Sequence, residues 1–487
     1  MILAARLLTF VAAASAWAPA SRRAWSRHIA PRMVATPVEA RAGVALADGG
    51  RHVDVKLPAG VFRFHAMWLR DACRDPMHVD ARGSGERLLT ATPVGPAGFV
   101  DPSALAAVDA RWERATDGGD CDELVVVWND ASAVRESRLP FALLREFAPV
   151  AAMAVEPRIA ASPSASWHDW LEPFTGFPDA RAQRADEWRP FYGDAAADGG
   201  DAWPPRFEHA DVMRDDAAHL ELLRALFRDG AVLVENVPPE GDSRDAAREL
   251  HAAVGRLLGG LQKDPTRSEA NWKIVKKADS SSISYDPAKR LYQHTDSSIP
   301  PHGVPGLALS MHYVAGFGAN TLTDGFAVAR DLKARDARAF ELLATYGYDG
   351  ERDFAASRKD STQSHAAGLV VRRKHPVFAL DARGELSRVQ YNEVFRTPLS
   401  LPFDVFREWY QAFSTFVGML HSDEYQRTVE MTEGTILLMN NWRTLHGRAG
   451  GRASPDRHLV GGTITRENVY SVAMQLSRAL AVDGPAP

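Results

Sequence analysis

The residues of this chain with the most chemical potential are two histidines, one aspartate and one arginine. His294 and Asp296 lie in "LYQHTDSS", and His446 lies about 150 residues further on, in "NNWRTLHGR". Two histidines and one carboxylate on one metal leave three positions open, the donor set that suits non-haem Fe(II) oxygen chemistry. Arg457 follows His446 by eleven residues. That spacing lets the chain return on the next strand and present a planar fork to a carboxylate. Thr321, 27 residues after His294, offers a hydroxyl as a second donor to the same carboxylate. The bland alternative for these residues is satisfied structural histidines, a surface ion pair and an ordinary strand threonine.

An H-x-D triplet alone says little, because the chain has five, at His52, His78, His209, His294 and His421. Asp211 of the third leads into a helix, where it serves as a cap or first-turn charge. His421 ends a helix only 25 residues before His446, too near for ligands on opposite ends of a barrel. His52 and His78 belong to a different part of the chain. His294 precedes a Pro/Gly-rich turn and a strand, and its distance from His446 accommodates most of a barrel.

The elements that must position these groups are mostly strands. Apolar runs predict strands at Leu307–Val314, Thr321–Thr323, Leu369–Val371, Val377–Leu380, Arg388–Tyr391, Thr435–Met439 and His458–Thr465. His446 is expected at a strand end just after "EGTILLMN". Helical spacing marks "DDAAHLELLRALFRDG", ended by Gly230, then "ARELHAAVGRLLGGL", the insertion Phe326–Thr345, and "PFDVFREWYQAFSTFVGML" with Pro402 in its first turn. The fold class expected is mostly β with framing helices: a double-stranded β-helix, that is, a cupin-like jelly roll. A small α+β/β domain precedes it, with strands at "HVDVKL" and "DELVVVWND" and a helix at "LPFALLREF". The expected divisions are a targeting segment over 1–40, the small domain over 41–150, a linker over 151–210 and the oxygen-chemistry barrel over 211–487.

Composition narrows the partners. The chain has 487 residues, a net charge of −5 and ordinary apolar and charged fractions, which gives no basis for nucleic-acid or anionic-membrane binding. Two cysteines, Cys73 and Cys121, make neither a disulfide framework nor a four-cysteine zinc pattern. The first acidic residue is Glu39. The apolar run Leu7–Ala16 has the length of a signal-peptide core, and "SRRAWSRHIAPRM" after it is basic and acid-free, as transit peptides are. The "ASAWAP" junction favours a plastid address over a mitochondrial one. No other segment is apolar enough to span a bilayer.

Taken together, "HTD", "TLTDGF", "YNEVFR", "NNWRTLHGR" and "RHLVGG" occur in the order found in the γ-butyrobetaine and trimethyllysine dioxygenases, which this chain resembles over residues 210–478 and, faintly, over 50–150. The ending "TITRENVYSVAMQLSR" is closer to the trimethyllysine enzymes. The resemblance implies His294, Asp296 and His446 as Fe(II) ligands, and Arg457 with Thr321 as the clamp on 2-oxoglutarate. It implies O2 as co-substrate, with ascorbate as an optional accessory. It also implies an aromatic cage for a trimethylammonium group. Trp272 and Tyr285 match two cage positions, whereas Thr463 and Ser268 stand where two more rings are expected. Asn392 matches a residue that binds the substrate's carboxylate end. Ser282 stands where trimethyllysine enzymes carry Asp and butyrobetaine enzymes Asn.

The small domain departs from the family pattern. "WLRDAC" matches it, but Asp75, His78 and Ser132 replace residues of its zinc set beside Cys73. Zinc is therefore not expected, and the domain is read as a folding partner and the basis of a homodimer. The leading expectation is hydroxylation of a small trimethylammonium amino acid. Its rivals are the same chemistry on another small substrate, and a jelly-roll protein that holds a metal or acid without turnover.

Overall fold

Among the described residues, ten strands form two sheets that face each other. The larger runs, in spatial order, Arg206–Glu208, Ala231–Glu235, Thr435–Asn440, Ala308–Ala315, His458–Ile464 and Trp272–Val275. The smaller runs Leu291–His294, Thr444–Ala453, Phe317–Asp324 and Gln426–Thr432. All pairings are antiparallel except that of Arg206–Glu208 with Leu233–Glu235. Side chains alternate between faces along a strand. The inward set from both sheets, including Leu309, Met311, Tyr313, Leu322, Met431, Leu437 and Met439, makes a buried core between them. The computed structural model describes residues 43–73, 94–95, 98–99, 105–114, 122–129, 136–155, 203–238, 244–263, 270–275, 289–296, 305–353, 370–381 and 384–482.

Helices cover the outer faces. Asp216–Asp229 starts where Asp215 accepts the Ala217 N–H, and ends at Gly230, whose φ of 78° suits a residue without Cβ. The helix-rich insertion expected over 326–345 is two helices, Gly325–Arg335 and Ala337–Thr345. Asp336 leaves helical geometry between them and its carboxylate accepts the Ala339 N–H, capping the second. Phe403–Leu420 is one long helix, as its apolar spacing predicts. The strand Trp272–Val275 and the helix Arg466–Val482 have no counterpart among the elements predicted from sequence.

Ordered structure reaches into both ends of the stretch expected as a linker. Met153–Ala154 pairs with Phe62–Arg63, and Arg206–Glu208 joins the larger sheet; residues 156–202 lie outside the described set. Val38–Pro487 is one compact unit. Within it Val53–Phe64, Trp68, Phe147 and their neighbours share a single apolar core with Phe326–Leu343, Tyr391, Phe406–Leu420 and Leu445.

Candidate metal centre and its anion site

His446 does not end the apolar strand before it. Thr435–Asn440 belongs to the larger sheet, residues 441–443 cross over, and His446 is the third residue of Thr444–Ala453 in the smaller one. There it is the direct partner of His294. Partners across an antiparallel pair project to the same face, and the two rings lie 4.3 Å apart. Asp296 turns back over them, its Oδ1 3.5 Å from His294 Nε2 and 3.9 Å from His446 Nε2. One donor atom from each residue lies within 4.8 Å of the others, and among the described residues no other group of histidine, cysteine and acidic side chains does this.

The donor chemistry fits a divalent metal. His294 Nδ1 lies 2.8 Å from the Tyr292 carbonyl, so it carries the ring proton and leaves the Nε2 lone pair facing Asp296. Burial, joined by the neighbouring His294 and opposed by Asp296, holds the His446 pKa down to about 3. Its imidazole is neutral, as a metal ligand must be.

The loop that carries Asp296 is fixed through its backbone. The Asp296 N–H donates to Asn441 Oδ1 at 2.8 Å, and Asn441 Nδ2 donates back to the Asp296 carbonyl at 3.0 Å. The Thr295 N–H donates to the Tyr391 carbonyl at 2.7 Å, and the Tyr391 N–H to Thr295 Oγ1 at 3.1 Å. Asn392 is engaged here too. Its Nδ2 donates to the Thr295 carbonyl at 3.4 Å and its Oδ1 accepts the Val394 N–H at 3.1 Å. Both polar ends of the residue expected at the substrate are thus bound to backbone, and Asn392 braces the metal loop. Arg443, at the crossover, forms a buried bidentate pair with Asp324, and donates to the Phe227 and Arg228 carbonyls at a helix end. That pair joins "TLTDGF" to "NNWR".

Arg457 is buried, and no carboxylate pairs with it among the described residues. Its side chain lies beside the Tyr313 hydroxyl, which accepts from Asn320 Nδ2 at 2.9 Å. Thr321 is not in this group. It pairs with Gly447, whereas Leu322 pairs with His446 and Asn320 with Arg448. A step of one residue reverses the face, so Asn320 and Leu322 share the inner face with His446, and Thr321 points outward. A Cβ on Gly447 would lie 2.8 Å from Thr321 Oγ1, and the next outward residue, Thr323, donates to the Leu420 carbonyl at the end of the long helix. The signal for Asn320 was its position one residue before Thr321; only the register shows it.

On the larger sheet Trp272 pairs with Gly461, and its ring fills the space a Cβ there would take. Gly461 is the partner of inward-facing Met311, and Thr463 of inward-facing Leu309. Trp272 and Thr463 therefore share the inner face. Tyr285, Ser282 and Ser268 lie outside the described residues, as do Asp75, His78, Cys121 and Ser132. Cys73 is buried and unpaired with sulfur. His421 has a structural role: its Nδ1 donates to the Val417 carbonyl and its Nε2 faces the Gln293 N–H, behind the His294 strand.

Known proteins are similar to this chain in sequence. γ-Butyrobetaine dioxygenase of Homo sapiens is 28% identical over 298 residues, 60% of this chain and 71% of that one. The mitochondrial trimethyllysine dioxygenase of Rattus norvegicus is 22% identical over 426 residues, 87% of this chain and 85% of that one. A more distant likeness is to the non-heme iron oxygenase OrfP, solved with Fe, succinate and (3S)-hydroxy-L-Arg: 16% identity over 53% of this chain and 84% of that one, with a TM-score of 0.38. The family model for taurine catabolism dioxygenase TauD, TfdA family, matches residues 195–463. That span is more than half of the chain and contains His294, Asp296, His446 and Arg457, so the chain belongs to the TauD/TfdA family of dioxygenases.

Proposed function

We propose that this protein is an Fe(II)- and 2-oxoglutarate-dependent dioxygenase that hydroxylates a trimethylammonium amino acid of the trimethyllysine or γ-butyrobetaine class, on a double-stranded β-helix formed by its two facing sheets. The observation that carries the reading is the convergence of His294, Asp296 and His446 within 4.8 Å on an inner face that also holds the buried Arg457. A protein that only bound a metal would have no use for three open positions beside a buried guanidinium that no carboxylate pairs with among the described residues.

His294, Asp296 and His446 would hold the iron and Arg457 the distal carboxylate of 2-oxoglutarate. Bound there, iron and 2-oxoglutarate supply the oxidising power that puts one oxygen atom of O2 into a substrate C–H bond, with succinate and CO2 as the other products. The chain's own tasks are positional. Tyr292 fixes the tautomer of His294. Asn441, Tyr391 and Asn392 fix the loop of Asp296. The apolar residues Leu309, Met311, Leu322 and Met439 line the space between the sheets and exclude water from it.

Trp272 is assigned to the substrate. A quaternary ammonium has no N–H to donate and is held by ring faces, at roughly 0.5–2 kcal/mol per ring. Thr463, on the same inner face, offers no ring. That observation favours a second reading, the same chemistry on a smaller or neutral substrate. The N-terminal segment is assigned to import into an organelle, plastid or mitochondrion, which an N-terminal reporter fusion distinguishes.

The test is substrate-coupled succinate formation by the Fe(II)-loaded protein with trimethyllysine, γ-butyrobetaine and their uncharged carbon isosteres. The cations should turn over faster, the reaction should vanish in His446→Ala, and Trp272→Ala should weaken the cations more than 2-oxoglutarate. Equal turnover of cations and isosteres in both proteins would leave Trp272 as core packing and favour the second reading. Succinate formation by His446→Ala at the wild-type rate would sink the metal assignment.

A further inference from the structure

Resting on the reading of Arg457 as the carboxylate clamp, we infer that Tyr313 is the second donor to the distal carboxylate of the co-substrate, the place that spacing assigns to Thr321.

A phenol has one proton to donate and two lone pairs to accept with. In Tyr313 one lone pair accepts Asn320 Nδ2–H, and the Arg457 side chain lies beside the hydroxyl. The proton is unspent: among the described residues the hydroxyl donates to none. The side chain is fully buried, where an unmade hydrogen bond costs most. Burial pushes the phenol upward, against the pull of Arg457 and Asn320, so it keeps that proton. Guanidinium, carboxamide and phenol thus meet as donors around a buried positive charge, the composition of an anion site.

The placement suits a diacid bound at the metal. Tyr313 stands in the larger sheet facing inward, and Asn320 stands opposite in the smaller one. Asn320 is two residues along the strand from Leu322, the partner of His446. Two residues of extended chain span about 7 Å, a separation that a five-carbon diacid bridges from its metal-chelating end to its far carboxylate. Arg457 reaches the same point, since a Cβ on Gly318 would lie 3.2 Å from Tyr313 Oη and 3.4 Å from Arg457 Cδ.

The experiment uses the full chain loaded with Mn(II) in place of iron, so that binding is read without turnover. Calorimetry compares 2-oxoglutarate with 2-oxobutyrate, a 2-oxo acid with no distal carboxylate. Tyr313→Phe removes one oxygen and keeps the ring in the core. It should weaken 2-oxoglutarate about 10-fold, the range for a hydrogen bond to a charged group, and leave 2-oxobutyrate unchanged. Arg457→Ala should weaken 2-oxoglutarate further, again without affecting 2-oxobutyrate. If Tyr313→Phe binds 2-oxoglutarate as wild type does while Arg457→Ala does not, the inference falls and the clamp reading survives. Equal weakening of both acids in Tyr313→Phe makes the residue a packing element and also overturns the inference. Wild-type affinity for 2-oxoglutarate in Arg457→Ala overturns the clamp reading itself, and the inference with it.

Discussion

Asn441 touches no predicted reactant, yet it decides where Asp296 can stand. Its carboxamide bonds both backbone groups of Asp296, at 2.8 and 3.0 Å, and also the Gly306 carbonyl at 3.2 Å. Removing a group that orients a ligand typically costs 10–100-fold in metal affinity. Asn441→Ala should lower Fe(II) affinity by about 10-fold or more, read by metal titration, with the folded state still present by circular dichroism. The carboxylate clamp gives a second prediction at this scale. Thr321→Ala should leave the apparent KM for 2-oxoglutarate within about twofold, because its side chain faces away from Arg457. Asn320→Ala should raise it about fivefold, as expected for loss of roughly 1 kcal/mol of hydrogen bonding around Tyr313. A larger effect at Thr321 than at Asn320 would contradict the register.

Whole elements depend on single buried charges. Asp324 caps the helix Gly325–Arg335 by accepting from the Phe326 and Ala327 N–H groups, and it pairs with Arg443 at 2.7 Å. Arg443 in turn binds the carbonyl end of the helix Asp216–Asp229. One ion pair thus holds two helices against the crossover that delivers His446. Breaking a buried pair from one side costs about 3–5 kcal/mol, so Asp324→Ala should lower unfolding free energy by that amount in urea titration. The outer face of the larger sheet carries a different kind of charge control. His251 donates or accepts at Ser310 and Asn271, and stacks beside His312. Burial holds His251 down to about 4 and, with the nearby His251, His458 and His209, holds His312 down to about 3. Both pKa values are depressed relative to the unfolded chain, near 6.5. The unfolded state therefore binds more protons at acid pH, and stability rises with pH. Their contribution is complete above about pH 6.5 and is lost as pH falls towards 4 and 3. His312→Gln should flatten the fall in urea midpoint between pH 6.5 and 4; an unchanged slope would refute the assignment.

At the scale of the molecule, the N-terminal strands reach the catalytic half through a buried network. Arg396 pairs bidentately with Asp71 at 2.6 and 2.7 Å and also binds Glu393, while the Tyr410 hydroxyl donates to Asp71 at 3.1 Å. Burial alone would lower the Arg396 pKa, but Asp71 and Glu393 raise it well above the ordinary value. Glu393 follows Asn392, which braces the metal loop, so "WLRDAC" and "YNEVFR" are two sides of one junction. Asp71→Ala should destabilise by about 3–5 kcal/mol, because it removes the bidentate partner of a buried guanidinium. The Asp71→Leu, Arg396→Met pair should recover only part of that loss, since the buried Glu393 then loses Arg396. A double variant as unstable as the single one would show that the network has another stabilising role.

The sequence by itself determined what local pattern can determine. Apolar runs marked the strands Ala308–Ala315 and Thr435–Asn440, Gly230 marked a helix end, and one H-x-D of five stood at the right remove from His446. These are properties of neighbouring residues, or of spacing along the chain. Tertiary structure alone decided which side chain of a strand faces the site. Thr321 and Asn320 are adjacent and both polar, and only the pairing of Leu322 with His446 puts Asn320 inside. It alone showed that Asn392 and Asn441 bind backbone groups 97 and 145 residues away, and that Asp71 answers Arg396 across 325 residues. The physical reason is common to all three. A buried polar group must find its partner wherever the fold brings one, and a strand side chain takes its face from the register of its neighbours, which no residue carries alone.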